Sequence, residues 1–204
     1  MHPGEFAAFD RICRERGAGG DVLELGATPD ASTLLCLPAL AGARSRIGVN
    51  LAGDASFDGF RIVGANANDL GSRFADASFD TVLANSLLEH DPKFWRTLAE
   101  MRRVARPGAL MIVGVPGYAS TDADRRWNRA ARLPLVGRLV RRVAGGRLAS
   151  TSTLVVHHFP GDYYRFSRQA VLEVFLDGLV ERDVSTHLRP PRHIGVGRLP
   201  PVPG

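Results

Sequence analysis

Asp21-Val-Leu-Glu-Leu-Gly26 is the stretch from which the rest of this chain can be read. Val22, Leu23 and Leu25 give the near-continuous apolar run of a strand buried on both faces of a parallel sheet. Glu24 interrupts that run. An ionised carboxylate among such neighbours is costly unless backbone donors or the polar groups of a ligand meet it. Gly26 lets the chain turn sharply and brings its backbone close to whatever binds there. A strand carrying one carboxylate and ending in a glycine turn predicts a nucleotide-type cofactor site early in an α/β domain. Ala27, Thr28, Pro29 and Asp30 follow where further glycines would complete a phosphate-binding loop. With no Gly-x-Gly-x-x-Gly here, a dinucleotide-binding oxidoreductase is disfavoured.

Strand and helix patterns alternate outward from this point. Phe6 to Arg16 predicts a short amphipathic lead helix, and Thr33–Leu40 a helix interrupted near Pro38. Arg46–Val49, Phe60–Val63 and Phe79–Ala84 predict further strands. A helix follows, with Asp91 at its N-cap and Pro92 at its first position, where the missing N–H costs nothing. Its Phe94, Leu98, Met101 and Ala105 recur on one face, and Arg106-Pro107-Gly108 stops it. Ala109–Val115, apolar on both faces, is read as a central strand. Ser167 caps a helix whose Ala170, Val171, Val174 and Phe175 face the core. Val180–His187 predicts a sixth strand, and the Pro/Gly-rich tail from Arg189 a short antiparallel edge strand. The alternation argues for an α/β, Rossmann-like, doubly wound fold: a mostly parallel sheet with an antiparallel edge strand in a three-layer sandwich.

Length and composition agree with one such domain over residues 1–204, carrying a basic insertion at about 117–160. The chain has 204 residues, 45% hydrophobic and 23% charged, the proportions of a soluble globular protein. No apolar run approaches the ~18 residues of a membrane span. The first 20 residues lack the apolar core of a secretory signal. Cys13 and Cys36 have no metal-ligand spacing, so a reducing, cytoplasmic setting is expected and no metal. Lys93 is the only lysine among 26 basic residues, and the net charge is +5. Arg125, Arg126, Arg129, Arg132, Arg138, Arg141, Arg142 and Arg147 crowd one segment, a local positive field. With Leu135, Val136, Leu139 and Val140 alongside, the segment reads as a lid over a substrate, as a membrane-surface helix or as a solvated helix. Trp127 is its only aromatic residue, too little for a base-stacking surface, so nucleic acid is not expected as a partner.

The order of three blocks resembles the class I S-adenosylmethionine-dependent methyltransferases over roughly residues 18–187. They are Asp21–Gly26, Phe74–His90 (Phe-Ala-Asp-Ala-Ser-Phe-Asp-Thr-Val-Leu-Ala-Asn-Ser-Leu-Leu-Glu-His) and Arg103–Val113 (Arg-Val-Ala-Arg-Pro-Gly-Ala-Leu-Met-Ile-Val). The resemblance implies methyl transfer from S-adenosyl-L-methionine to an O or N atom of a small-molecule, glycan or lipid acceptor. It assigns Glu24, Gly26 and Ala27 to the cofactor's methionine end. It assigns Asn50, with Leu51 beside it, to the ribose, and Asn66 with Ala67 to the adenine, with Asn85 and Ser86 lining the cofactor. Asn50 and Asn66 stand where the family usually places acids, and a neutral hydrogen bond is roughly half as strong as a charge-assisted one. A second reading follows from that substitution: a catalytically degenerate member that binds a ligand or partner.

The acceptor side is expected around Glu89, Tyr118, His158, Tyr164 and Arg165. His90 is the candidate base, since imidazole titrates near working pH; it is equally compatible with packing against the cofactor or bonding a backbone carbonyl. Arg165 offers a planar fork to a carboxylate or phosphate, or else pairs with Asp162 or Glu173.

Overall fold

The computed structural model describes residues 3–119, 152–153, 161–188 and 191–201. Helix α1 (Pro3–Glu15) precedes β1 (Asp21–Leu25), β2 (Ser45–Asn50), β3 (Ala55–Phe57), β4 (Phe60–Gly64) and β5 (Phe79–Asn85). Helix α2 (Phe94–Val104) runs directly into β6 (Ala105–Pro116), and β7 (Tyr118–Ala119) pairs with β8 (Ser152–Thr153). A helical turn, α3 (Arg168–Ala170), leads to β9 (Val180–Leu188) and β10 (Pro191–Arg198).

Eight strands form one sheet in the order β3-β4-β2-β1-β5-β6-β10-β9. The central run β4-β2-β1-β5-β6 is parallel throughout. Strand β3 is antiparallel to β4, and β10 is antiparallel to both β6 and β9. The mostly parallel, Rossmann-like sheet with antiparallel flanks is therefore the fold. The tail strand is antiparallel as expected, and β9 lies outside it.

Side chains alternate across the sheet, which divides the core into two faces. Leu23, Leu25, Val82, Ala84, Met111 and Val113 face α2 and the 166–179 segment. Val22, Leu83, Leu110 and Ile112 face α1, through Phe9, Ile12 and Cys13, and the 34–40 segment. Phe9, 0% exposed, contributes up to about 3 kcal/mol of burial on that second face. Two apolar faces, each covered by helical elements, make the three layers.

Three local expectations are corrected. Residues 33–40 form two 3-10 turns, Leu34–Cys36 and Pro38–Leu40, in place of a helix. Leu37 precedes Pro38 and is extended (ψ 128°), because the proline ring excludes the helical region from the residue before it. The same effect at Asp91-Pro92 delays α2: Asp91 is extended and helix begins at Phe94, with Lys93 at the N-cap. In the third case Ser167 accepts from the Ala170 N–H at 2.9 Å, but α3 widens at once into a π turn, Val171–Phe175. That wider turn stacks Phe175 over Val171; both are buried, and Val174 is 51% exposed.

Strand β3 is absent from the sequence reading although its signal was present. Asp58 (φ 47°) and Gly59 (φ 80°) form the two-residue loop between β3 and β4. Asp-Gly is a strong signal for that kind of hairpin.

Candidate functional site

A cavity of about 600 Å³ opens at the carboxyl ends of the parallel strands. That edge is where open α/β sheets receive ligands, and the volume lies in the ~300–1,000 Å³ range of small-molecule sites. Gly26 follows β1, Val49, Asn50 and Leu51 end β2, and Ala65 to Asp69 follow β4. Ser86, Leu87, His90, Asp91, Pro92, Lys93 and Arg96 come from the turn after β5 and the start of α2.

Gly26 explains how the floor is made. Its φ is +85°, and a Cβ there would come within 3.3 Å of the Leu87 Cβ. Both Gly26 and Ala27 donate their N–H to Val49 O, at 2.9 and 3.0 Å, which folds the turn onto β2. Asn50 secures the same turn from the other side: Nδ2 donates to Ala27 O at 2.7 Å and Oδ1 accepts from Ala52 N at 2.8 Å. A primary amide has two N–H groups and two oxygen lone pairs, so one of each remains for ligand hydroxyls. Asn66 Oδ1 accepts from Asn68 N at 2.9 Å, leaving its two donors and a lone pair. Leu51, 73% exposed, offers an apolar face at the rim. Neutral amides with spare capacity, apolar side chains and a cradle closed by the absence of a Cβ fit a nucleoside-bearing ligand.

Glu24 points elsewhere. It is 3% exposed and lies outside the cavity lining, on the α1 face. Its Oε2 accepts from the Thr33 hydroxyl and, at 3.2 Å, from Leu35 N. Burial raises its pKa to about 7 against those hydrogen bonds. The carboxylate thus organises the 3-10 turns that stand where a helix was expected. Ala27 and Asn85 are also off the lining, both buried; Asn85 Oδ1 lies among Gly114 and Phe9, towards α1.

The acceptor candidates gather on the opposite side. Glu89, 0% exposed, accepts at its backbone carbonyl from Tyr163 N (2.8 Å) and Tyr164 N (3.3 Å). This staples the 161–166 segment to the turn after β5. His90 Nδ1 hydrogen-bonds Gly161 O; a carbonyl only accepts, so Nδ1 carries the proton and Nε2 is the basic nitrogen, 3.9 Å from Glu89 Oε1. Arg165 grips Asp162 with both arms, Nη2 to Oδ2 at 2.6 Å. That hydrogen-bonded pairing holds its pKa above the usual arginine value and commits the fork. The Tyr164 hydroxyl donates to Pro92 O at 3.1 Å, and its ring packs on Phe94 and Phe166. Tyr118 is 43% exposed on β7. His158 and most of the arginine-rich insertion lie outside the described residues.

Several cavity residues were missed from sequence, Asn68, Asp91, Lys93 and Arg96 among them. Asn68 Nδ2 donates to Asp91 Oδ2 (2.6 Å), and the Thr97 hydroxyl donates to the same oxygen (2.7 Å). Only their positions after successive parallel strands could have signalled this. Among the described residues no group of three His, Cys, Asp or Glu side chains could hold a metal. No helix among them is long and apolar enough to cross a membrane.

Residues 35–113 match the family model described as a methyltransferase domain. The chain is 44% identical over 62 residues to an uncharacterized methyltransferase of Mycobacterium sp. (strain KMS), over 30% of this chain and 24% of that protein. It is 37% identical over 68 residues to 27-O-demethylrifamycin SV methyltransferase of Amycolatopsis mediterranei (strain S699), over 31% and 25%. The match therefore spans about a quarter of these relatives' length. In fold it is similar to the 1,6-didemethyltoxoflavin-N1-methyltransferase of Burkholderia thailandensis, solved with S-adenosylhomocysteine, at TM-score 0.62 and 17% identity over 96% of this chain and 78% of that one. It is also similar to the N-methyltransferase NodS of Bradyrhizobium japonicum, with the same product bound, at TM-score 0.54 and 13% identity over 97% and 86%. Residues 35–113 thus carry a methyltransferase domain, set in a Rossmann-like fold similar to that of S-adenosylmethionine-dependent methyltransferases.

Proposed function

We propose that this protein transfers a methyl group from S-adenosyl-L-methionine to an oxygen or nitrogen of a small-molecule acceptor. The observation that carries the reading is the cavity at the carboxyl edge, floored by the Gly26 turn against Leu87 and ringed by the Asn50 and Asn66 amides. Two of the similar proteins are named for small acceptors, a rifamycin and a toxoflavin precursor, which favours that class over glycans and lipids.

Bound S-adenosylmethionine supplies an activated sulfonium methyl, so the chain has mainly to align an acceptor in a dry site. Asn50 offers its remaining N–H and lone pair to ribose hydroxyls, and Leu51 an apolar face beside them. Asn66 and the Ala67 backbone would hold the adenine edge. The Gly26 turn would leave room for the methionine end, with Ser86 and Leu87 beside it. His90 Nε2 takes the proton released by a hydroxyl or amine acceptor, and Glu89 stabilises the imidazolium so formed. Tyr164, stapled beside them, is part of the acceptor wall.

Calorimetry with S-adenosylhomocysteine is the first test; no binding at millimolar product sinks the proposal. For the base, His90→Ala should lower kcat roughly 10²-fold or more while product affinity stays within a few-fold. Unchanged turnover would remove His90 from that role.

A further inference from the structure

Arg192 is the second residue of β10, paired with Pro116 of β6 and His187 of β9. Its side chain is 13% exposed and reaches along the α1 face of the sheet. Nη1 donates to Ser86 Oγ at 2.8 Å and lies 2.8 Å from Glu5 Oε1 in the first turn of α1. Glu5 is itself 6% exposed. One guanidinium therefore ties three elements together: the lead helix, the antiparallel strand and the turn beneath the cavity.

Ser86 is an unusual residue to be held there. It lines the cavity, and its φ is +51°, the left-handed region that a side chain other than glycine rarely adopts. Such a conformation persists only where its surroundings over-determine it, and it clusters at functional sites. At Ser86 the determinants are two: its N–H donates to Gly114 O at 3.0 Å, and its hydroxyl accepts from Arg192. A buried ion pair does little for stability by itself, because desolvation offsets most of the attraction. Its effect here is to fix a direction: Glu5 orients the guanidinium, and the guanidinium holds Ser86.

We propose that Arg192 is a positioning residue for the methyl-donor cavity, acting through Ser86 with Glu5 of α1 as its anchor. This rests on the methyltransferase reading of the same cavity. Arg192 is not among the described residues that line the cavity, so the effect is transmitted by the shape of the Ser86-Leu87 turn. Binding of the cofactor should in turn steady α1, since the same guanidinium joins both.

The test is product binding by calorimetry with hydrogen exchange on α1. Arg192→Gln should weaken S-adenosylhomocysteine binding roughly tenfold, the size of a lost charge-assisted hydrogen bond. Arg192→Lys, which keeps the charge but offers a single point donor, should fall between. The deciding variant is Arg192→Gln with Ser86→Gly. Glycine takes a positive φ without help, so affinity should return to within a few-fold of wild type. In the wild type, saturating product should slow exchange at Ala8 to Ile12, and in Arg192→Gln that slowing should vanish. If Arg192→Gln does not fold, Ser86→Ala, which removes only the acceptor hydroxyl, should show a comparable loss. Wild-type binding with Arg192→Gln or Ser86→Ala unaffected, or no rescue by Ser86→Gly, overturns the inference alone. A wild type that does not bind the product removes the functional reading and this inference together.

Discussion

At the amino ends of β1, β5 and β6, charge is met by charge. Asp21 lies 2.9 Å from Arg44 and 3.0 Å from Arg106, and Asp80 lies 2.7 Å from Arg106 and 3.5 Å from Arg44. At the carboxyl ends of the same sheet the cavity lining mixes the Asn50, Asn66 and Asn68 amides and the Ser86 hydroxyl with Asp69, His90, Asp91, Lys93 and Arg96. The amides of Asn50 and Asn66 keep part of their hydrogen-bonding capacity. Asn50 donates once, to Ala27 O, and accepts once, from Ala52 N, while Asn66 only accepts, from Asn68 N. Asp91, the buried acid at that edge, is committed to Asn68, Thr97 and the Lys93 N–H. The difference separates two uses of polarity. One edge closes its network on itself, and the other keeps donors and acceptors for a ligand.

The comparison breaks most visibly at Gly26. Gly26→Val should reduce product binding by roughly 100-fold, measured by calorimetry. A branched side chain is disfavoured at φ +85°, and it would press on Leu87 from the outset. Because the whole floor is built on that contact, intact binding in a folded Gly26→Val protein would show that the ligand site lies elsewhere. The variant should also lose about 1–3 kcal/mol of stability from the strained backbone.

Glu24 sharpens the contrast, being a carboxylate near the ligand edge that serves the scaffold. Its unperturbed pKa of 4.5 is raised to about 7, with burial the main cause. Below pH 4.5 the folded and unfolded chains both hold the proton. Between 4.5 and about 7 only the folded chain does, so rising pH draws the equilibrium towards the unfolded state. Stability should therefore fall across that window by up to about 3 kcal/mol and level off above it. Glu24→Gln keeps the hydrogen bonds without the charge. Thermal unfolding across pH 4–8 should show the wild-type slope flattened in the variant, which becomes the more stable of the two above pH 7. Parallel curves would mean that Glu24 does not titrate there.

How much of this was legible follows from what each feature depends on. The parallel strands and the sheet's two faces were readable because hydrophobic runs carry a local period. The Val22-Leu23-Glu24-Leu25 pattern announces a strand whatever surrounds it. Gly26, Asn50, Asn66, Ser86 and His90 were also reachable, since they sit at strand ends. The direction of Glu24 was not. A strand alternates its side chains, so Glu24 shares a face with Val22 and points to α1, yet which face would hold the cavity depended on the topology. The prolines at 38 and 92 are visible in the sequence, but how far each displaces helix depends on the extended Leu37 and Asp91 before them. Arg192 could not have been found: its partners Ser86 and Glu5 lie 106 and 187 positions away, and nothing in the chain between them marks the pairing.

The smallest effect is expected where the closed network is cut. Asp80 Oδ2 accepts from the Asp21 N–H at 2.8 Å as well as pairing with Arg106. Burial raises its pKa somewhat, but the Asp21 N–H and Arg106 outweigh that and hold it below 3.8. A carboxylate of depressed pKa contributes stability above its unfolded value and loses it as pH falls through the folded one. Its side chain is 35% exposed, so solvent screening limits the pair's value, and most of the loss comes from stranding the Asp21 N–H. Asp80→Ala should therefore cost about 1 kcal/mol at neutral pH, read by chemical denaturation, with the gap from wild type narrowing below pH 3.8. Product affinity should not move. Strand β1 has five residues, which at ~3.3 Å per residue sets its two ends roughly 13 Å apart, far enough for effects to add independently. A change in ligand affinity in Asp80→Ala would mean that the two edges are coupled through β1 and β5, and that the division of labour between them is not as sharp as their chemistry suggests.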